Sequence, residues 1–148
     1  MTAREHLKNK LKSYRAIQQE RQHLQKEIER VEATLDGLKS PSWDGMPRGS
    51  DVSDPVLQAV EQYDTLLCRH RAQEAALAAA LVEVETLIAS LDDPTQRDLL
   101  RYRYIDGLTW EAVCVAINYS WRGTHDIHGA ALDKLLERYG EEARDAAD

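Results

Sequence analysis

The chain has 148 residues, a formal net charge of −7, and 43% hydrophobic but only 6% aromatic residues. This composition favours helices with narrow apolar stripes over a thick mixed core, and the length suits one compact domain or a small domain with an extended appendage. Because the sequence contains no apolar run of roughly 18 residues, we expect no membrane span or membrane partner, and we expect a cytoplasmic protein.

Charge is distributed unevenly along the chain. Residues 1–40 carry nine Lys and Arg against six Asp and Glu, whereas residues 51–93 carry two against nine. Residues 94–140 are balanced at six against six. Because the acidic middle would repel phosphate, any contact with nucleic acid is expected from the C-terminal part or from the N-terminal helix.

Residues 3–38 predict one long amphipathic helix. They contain no Pro, and their single Gly, Gly37, lies near the end. Lys10 and Arg21 interrupt an otherwise regular heptad pattern of the kind found in coiled coils. The apolar positions of this pattern are Leu7, Tyr14, Ile17, Leu24, Ile28, Val31, Leu35 and Leu38.

The segment KSPSWDGMPRGSDVSDP is rich in Pro, Gly, Ser and Asp and predicts a loop over residues 39–54. Turn chemistry alone can explain its glycines and prolines. An alternative is that the loop is a contact surface, with Trp43, Met46 and Arg48 as the exposed anchors for a protein partner.

A second helix is predicted from Pro55 to about Leu91, capped by Asp54. His70 and Glu74 interrupt its heptad pattern, and we expect them, like Arg21, to fix the register or to reach solvent. The predicted heptad positions are Val56, Val60, Tyr63, Leu67, His70, Glu74, Leu77, Leu81, Val84, Ile88 and Leu91.

Two helices of similar length joined by a loop predict an antiparallel hairpin of coiled-coil type over residues 1–92. A lone pair of helices buries only a narrow seam, whereas two associated hairpins bury more apolar surface. We therefore expect a homodimer whose oligomerisation region is this hairpin.

Residues 93–140 predict a small three-helix module. Asp93 can cap its first helix with Pro94 at the first position, and Gly107 can end this helix near Asp106. We expect its core to hold Leu100, Tyr104, Leu108, Val113, Ile117, Tyr119, Ile127, Ala131, Leu132 and Leu135.

The second and third helices of the module are predicted to form a helix-turn-helix. Thr109 can cap a helix over residues 110–117, after which Asn118 can take the left-handed conformation and Ser120 can cap the last helix. That helix is expected to end near Tyr139, and residues 141–148 are predicted to be a separate acidic tail. The fold class expected for the whole chain is all-α.

The stretches LRYRYIDGLTWEAVCVAINYS and IHGAALDKL resemble the region 4 helix-turn-helix of bacterial sigma factors. The whole chain, with its WDGMPRGS loop, resembles the phage-encoded RinA/ArpU-type transcriptional regulators. Those proteins similarly combine a long helical hairpin, a loop of this kind and a sigma-like C-terminal module. The resemblance implies a phage or prophage regulator that acts in the host cell, binds double-stranded promoter DNA and works alongside host RNA polymerase.

The resemblance also places Trp121, Arg122, Gly123, His125 and Asp126 in the major groove. Arg122 can pair bidentately with guanine, and Trp121 can pack against a thymine methyl or the sugar-phosphate backbone. His125 can donate to a phosphate. Asp126 can accept from a cytosine amino group but would repel phosphate.

The spacing of His125 and His128 places both imidazoles on one helical face, which also raises the question of a metal site. No Cys or second His pair nearby completes a tetrahedral set, so we expect no metal. No nucleophile–base arrangement, glycine-rich phosphate loop or carboxylate pair is recognisable, so we expect neither an enzyme nor a cofactor.

Two other functions remain open from the sequence. One is a DNA-packaging protein resembling a small terminase subunit, although the DNA-binding module of those proteins usually comes first. The other is an interaction module that touches RNA polymerase without binding DNA, which the balanced charge of residues 94–140 would suit.

Overall fold

The computed structural model describes residues 2–38 and 54–147, with side chains described as far as Gly140. Within these residues the protein is all-α, which confirms the predicted fold class. A π-helical turn, Arg101–Ile105, follows the third helix directly. The α-helices are α1 (Ala3–Leu38), α2 (Pro55–Ala89), α3 (Pro94–Leu100), α4 (Trp110–Ile117) and α5 (Trp121–Ala147).

The chain divides into two compact units. Unit 1 combines Met1–Ala16 with Leu77–Asp148, and unit 2 is Ile17–Ala76. Both long helices therefore contribute to both units. This division differs from the predicted boundary between residues 92 and 93, because the beginning of α1 and the end of α2 share a core with α3–α5.

The core of unit 1 is built from all five helices. Leu11 of α1, Ile88 of α2 and Leu99 of α3 are each 0% exposed, and they pack in one cluster with Val113 of α4 and Leu132 of α5. Helices that meet from several directions can enclose side chains completely, which a single helix pair cannot do.

Most of the predicted core of the C-terminal module is confirmed. Leu108, Ile117 and Ile127 are half-buried against the cluster. The prediction for Tyr119 was wrong, because its side chain is 49% exposed. The left-handed turn at Asn118 directs the chain away from the core at this point. The fully confirmed core positions are Leu100, Tyr104, Val113, Ala131, Leu132 and Leu135.

The predicted N-cap at the start of the C-terminal module is confirmed. The Asp93 carboxylate accepts from the Thr95 amide at 2.9 Å, with Pro94 in the first turn. The Asp106 amide donates to the Arg101 carbonyl at 3.0 Å, which closes the π-helical turn.

Gly107 then ends this segment with a φ of 70°. A residue with a Cβ would be strained in this left-handed conformation, so the backbone favours glycine here.

Unit 2 is an antiparallel pair formed by parts of α1 and α2. Arg21 of α1 bonds to Glu74, and Glu32, further along α1, accepts from the Tyr63 hydroxyl at 3.0 Å. The order of the partners is therefore reversed between the two helices. The cluster of buried residues in this unit is Leu24, Ile28, Val31 and Leu66.

The buried positions of α2 in unit 2 differ from the predicted heptad. Ala59 and Leu66 are buried at 8% and 5% exposure, whereas Val60 is 39% exposed. Both the predicted and the observed series contain Tyr63 and both alternate spacings of three and four, so the pattern alone could not choose between them.

The last helix is longer than predicted. It continues through Gly140 to Ala147 instead of ending near Tyr139. Gly140 does not have the positive φ that would end a helix. The following residues contain no Pro and are rich in Ala and Glu, which favour helix continuation.

Candidate nucleic-acid interface

Helices α4 and α5 are joined by a three-residue turn with a defined cap at each helix. The Thr109 hydroxyl accepts from the Ala112 amide at 3.2 Å, and the Ser120 hydroxyl accepts from the Gly123 amide at 3.1 Å. Asn118 ends α4 with a φ of 59° and a ψ of 48°, the left-handed conformation predicted for it. These caps fix where α4 ends and where α5 begins.

The five residues predicted to contact DNA occupy the first turns of α5. Trp121, Arg122 and Asp126 are exposed there, whereas Gly123 and His125 are half-buried. Arg122 makes no hydrogen bond or ion pair within the described residues, so its guanidinium is available to a ligand.

His125 lies between two tryptophans. The ring centroid of Trp110, on α4, is 4.5 Å from that of His125. The ring centroid of Trp121, on α5, is at the same distance on the other pairing. The Arg103 guanidinium lies 4.7 Å from the Trp110 ring centroid and continues the stack. These four side chains, Arg103, Trp110, His125 and Trp121, are called the aromatic stack below, and they link the turn before α4 to the start of α5.

The hydrogen bond of His125 decides which nitrogen carries a proton. Its Nδ1 lies 2.9 Å from the Trp121 carbonyl oxygen, which can only accept, so Nδ1 carries the hydrogen. In the neutral ring Nε2 is then an acceptor. Donation from His125 to a phosphate, as predicted from the sequence, would therefore need the protonated ring.

Sequence reasoning missed Arg103 and Trp110 as parts of this site. The spacing of Trp121 and His125 places them one turn apart on the same face of α5, which is a usable indication of a contact. Nothing in the sequence brings Trp110 to the other side of the imidazole, because that contact depends on how α4 crosses α5.

His128 is buried one turn further along α5. Its Nε2 lies 2.7 Å from the Tyr104 hydroxyl, and its ring is in a T-shaped arrangement with the Trp110 ring at a centroid distance of 4.8 Å. Burial lowers the pKa of His128 to about 4 and raises the pKa of Tyr104 to about 12. At neutral pH the pair is therefore a hydrogen bond between two uncharged groups inside the core.

Gly123 is closely surrounded at the start of α5. A Cβ there would lie 3.2 Å from the Ser120 hydroxyl and 3.4 Å from the Tyr119 ring. The side chain of Tyr119 therefore packs across the glycine, which the exposure of Tyr119 would not by itself suggest. A Cβ at this position would require the Ser120 hydroxyl to shift by a few tenths of an ångström.

The surface around this turn is more apolar than basic. Val115, Tyr119 and Trp121 are 82%, 49% and 52% exposed. We call these three side chains the apolar patch. Arg122 and Asp126 contribute opposite charges to the same part of α5, so the surface has little net charge.

The predicted loop anchors Trp43, Met46 and Arg48 lie outside the described residues. Within the described residues, no group of three or more His, Cys, Asp or Glu side chains is placed to hold a metal ion. None of the helices described is both long enough and apolar enough to cross a membrane. Comparisons with protein-family models, with curated proteins and with solved structures found no match.

Proposed function

We propose that the protein is a transcriptional regulator of the phage RinA/ArpU type, which binds promoter DNA through α4 and α5 and acts as a dimer. The observation that carries this proposal is the capped turn between α4 and α5, with Trp121 and Arg122 exposed directly after it. In helix-turn-helix proteins the first residues of the second helix contact base edges in the major groove.

The aromatic stack supports this proposal because it restrains the side chain that would meet the DNA. Trp121 is held against His125, which is itself held against Trp110. An exposed side chain that is already ordered loses less conformational entropy on binding than a mobile one. The backbone amides at the start of α5 can supply further contacts to phosphate.

The charges of the module indicate few contacts to phosphate. Arg97 donates to the carbonyls of Leu91 and Asp92, and Arg103 donates to the Leu108 carbonyl at 2.9 Å. Two further arginines of the module are paired with acidic side chains: Arg101 with Glu85 and Arg138 with Asp92. With Arg122 and Lys134 as the remaining cations of residues 94–140, we expect weak binding per module and a shallow dependence on salt.

The test is selection of bound duplexes from a random DNA pool, followed by anisotropy titrations at several salt concentrations. We expect an enriched sequence and a slope that corresponds to only a few neutralised phosphates per module. Failure to enrich any sequence, together with no binding at low salt, would reject DNA binding.

The apolar patch favours a second candidate function, a module that binds a protein such as RNA polymerase without contacting DNA. The exposed apolar side chains of Val115, Tyr119 and Trp121 suit contact with a protein surface better than contact with a phosphate backbone. Val115→Ser would weaken polymerase binding in this case and leave any DNA titration unchanged. Loss of sequence-specific DNA binding in Val115→Ser would favour the regulator instead.

A further inference from the structure

The outer face of α2 in unit 2 differs from the outer face of α1. Apart from the small Ala33, the α1 positions that point away from the buried seam are polar, as in Gln22, Lys26 and Glu29. On α2 the corresponding face includes Leu57, which is 56% exposed, and its flank includes Val60, which is 39% exposed. A helix that carries apolar residues on two faces usually buries both of them.

This outer face has a regular heptad spacing. Its residues alternate steps of four and three, and all of them are exposed. At 100° per residue, Leu57 lies opposite the buried Leu66, so the face points away from α1. The members of this face, called the outer stripe below, are Leu57, Glu61, Asp64, Cys68, Arg71 and Ala75.

The charges along the outer stripe change sign at Cys68. Glu61 and Asp64 come before this residue, and Arg71 comes after it. If a second copy of α2 lay antiparallel with the two-fold axis at Cys68, Asp64 of each copy would face Arg71 of the other. A parallel arrangement would instead place Asp64 against Asp64, so the charges favour the antiparallel pair.

The small side chains on the stripe make a close approach possible. Cys68 would meet its own copy at the axis, and Ala75 would face Glu61 of the other chain. Small residues at an interface between helices let the backbones come nearer.

We propose that the outer stripe of α2 is the dimerisation surface, occupied by a second copy of the chain that packs antiparallel with the two-fold axis at Cys68. This inference deepens the dimeric regulator proposed above and rests on that proposal for the dimer itself. The contact between the two chains is assigned to one face of α2. The pairing of α1 with α2 stays within each chain.

The first test uses the full chain with Cys114→Ser, so that Cys68 is the remaining thiol. Sedimentation should show a dimer at micromolar concentration, and a short bismaleimide should convert it to a covalent dimer. In the matched control, Cys68→Ser with Cys114 retained, the bismaleimide should not produce a covalent dimer. A monomer in sedimentation, or a dimer that is not linked through Cys68, would overturn the proposal.

The second test reverses the charges one at a time. Asp64→Arg and Arg71→Asp should each weaken the dimer at least about 10-fold, because each places two like-charged pairs across the axis. The double variant should restore the dimer. The controls Lys26→Glu and Glu29→Lys make similar reversals on the outer face of α1 and should change nothing.

Circular dichroism of each variant separates a lost interface from lost helices, and the restored double variant decides the question even if a single variant is poorly folded. Dimers unaffected by both single reversals would reject the outer stripe. Because none of these measurements uses DNA, a failed interface and a failure to bind DNA can be told apart.

Discussion

The two units are built from parts of the same two long helices, yet they bury their side chains to different degrees. In unit 1, Leu11, Val84 and Ile88 are each 0% exposed. In unit 2, Leu24 and Val31 remain 7% and 8% exposed. The sequence pattern is similar in both parts of α1 and α2, so the difference comes from what covers them.

In unit 1 the helix pair is covered by α3, α4 and α5, which contribute Leu99, Val113 and Leu132 to the same core. In unit 2 the described cluster of buried residues is formed by side chains of α1 and α2 alone. Moreover, Arg21 reaches across its seam to His70 at 3.3 Å and to Glu74 at 2.7 Å. Unit 2 should therefore be the less stable part of the molecule.

The largest expected difference is in unfolding free energy, between a Leu→Ala substitution in the core of unit 1 and one in the core of unit 2. Leu132→Ala removes a fully buried side chain and should cost about 2–5 kcal/mol of unfolding free energy. Leu24→Ala removes a side chain at the edge of a narrow seam and should cost about half as much.

Urea unfolding at one fixed protein concentration measures how much unfolding free energy each variant loses. Hydrogen exchange resolved along the chain shows which unit opens in each variant. Equal losses in the two variants would mean that unit 2 is covered as completely as unit 1.

Acid should weaken unit 1 through His128. In the unfolded chain its pKa returns to the ordinary 6.5, whereas burial holds it at about 4 in the folded state. Between these values the unfolded chain binds a proton that the folded chain does not, so the free energy of unfolding falls as pH drops from about 6.5 to about 4.

His128→Gln should remove this part of the pH dependence, because glutamine does not titrate. His23→Gln, which removes an exposed imidazole in unit 2, is the matched control and should keep the slope. Tyr104→Phe should cost about 1–3 kcal/mol at neutral pH by leaving the His128 nitrogen without its partner. An unchanged pH profile in His128→Gln would show that another group carries the acid response.

Local features of the fold could be predicted from the sequence because they depend on neighbouring residues. The caps at Asp93, Thr109 and Ser120 and the left-handed Asn118 are of this kind, and all four are confirmed. The sequence did not indicate that residues far apart in the chain, such as Leu7 and Leu135, share one core. Heptad spacing identifies an apolar face but not the element that covers it.

The candidate site divides in the same way. The positions of Trp121, Arg122 and Asp126 on the first turns of α5 followed from the helix boundary alone. The half-burial of His125 between two indoles could not be predicted from the helix boundary, because the second indole comes from α4. Tyr119 was assigned to the core from its apolar character, whereas the turn places it beside Gly123 on the surface.

The buried and the exposed faces of α5 can be compared in the same way. Arg122→Ala should leave the free energy of unfolding unchanged, since the residue is exposed. It should cost about 1–3 kcal/mol of DNA binding and relax the preference at one base position. Arg122→Lys should keep non-specific affinity and lose much of that preference, because Lys cannot pair bidentately with guanine.

The matched control is Lys134→Ala, which removes another exposed cation of α5. It should weaken binding to selected and scrambled duplexes alike, and only slightly. Anisotropy titrations of each variant against both duplexes give the four affinities. Unchanged specificity in Arg122→Ala would move the protein from the DNA-binding class to the interaction module.

The smallest expected effect concerns the polar layer of unit 2, which consists of Arg21, His70 and Glu74. The Arg21 and Glu74 side chains are 33% and 52% exposed, so solvent screens their ion pair and Arg21→Ala should cost only about 0.5–1 kcal/mol.

Replacing all three residues by Leu should stabilise the seam, because apolar packing replaces three polar groups that are only partly compensated. The same change should make the pairing less specific, since an all-apolar seam allows other registers and larger assemblies. Thermal unfolding and sedimentation of the triple variant measure the two consequences separately. A triple variant that melts higher yet keeps the wild-type assembly would show that the polar layer is not needed to define the register. In that case the seven-residue spacing and the cover that α3–α5 give to unit 1 would be sufficient to align the two helices.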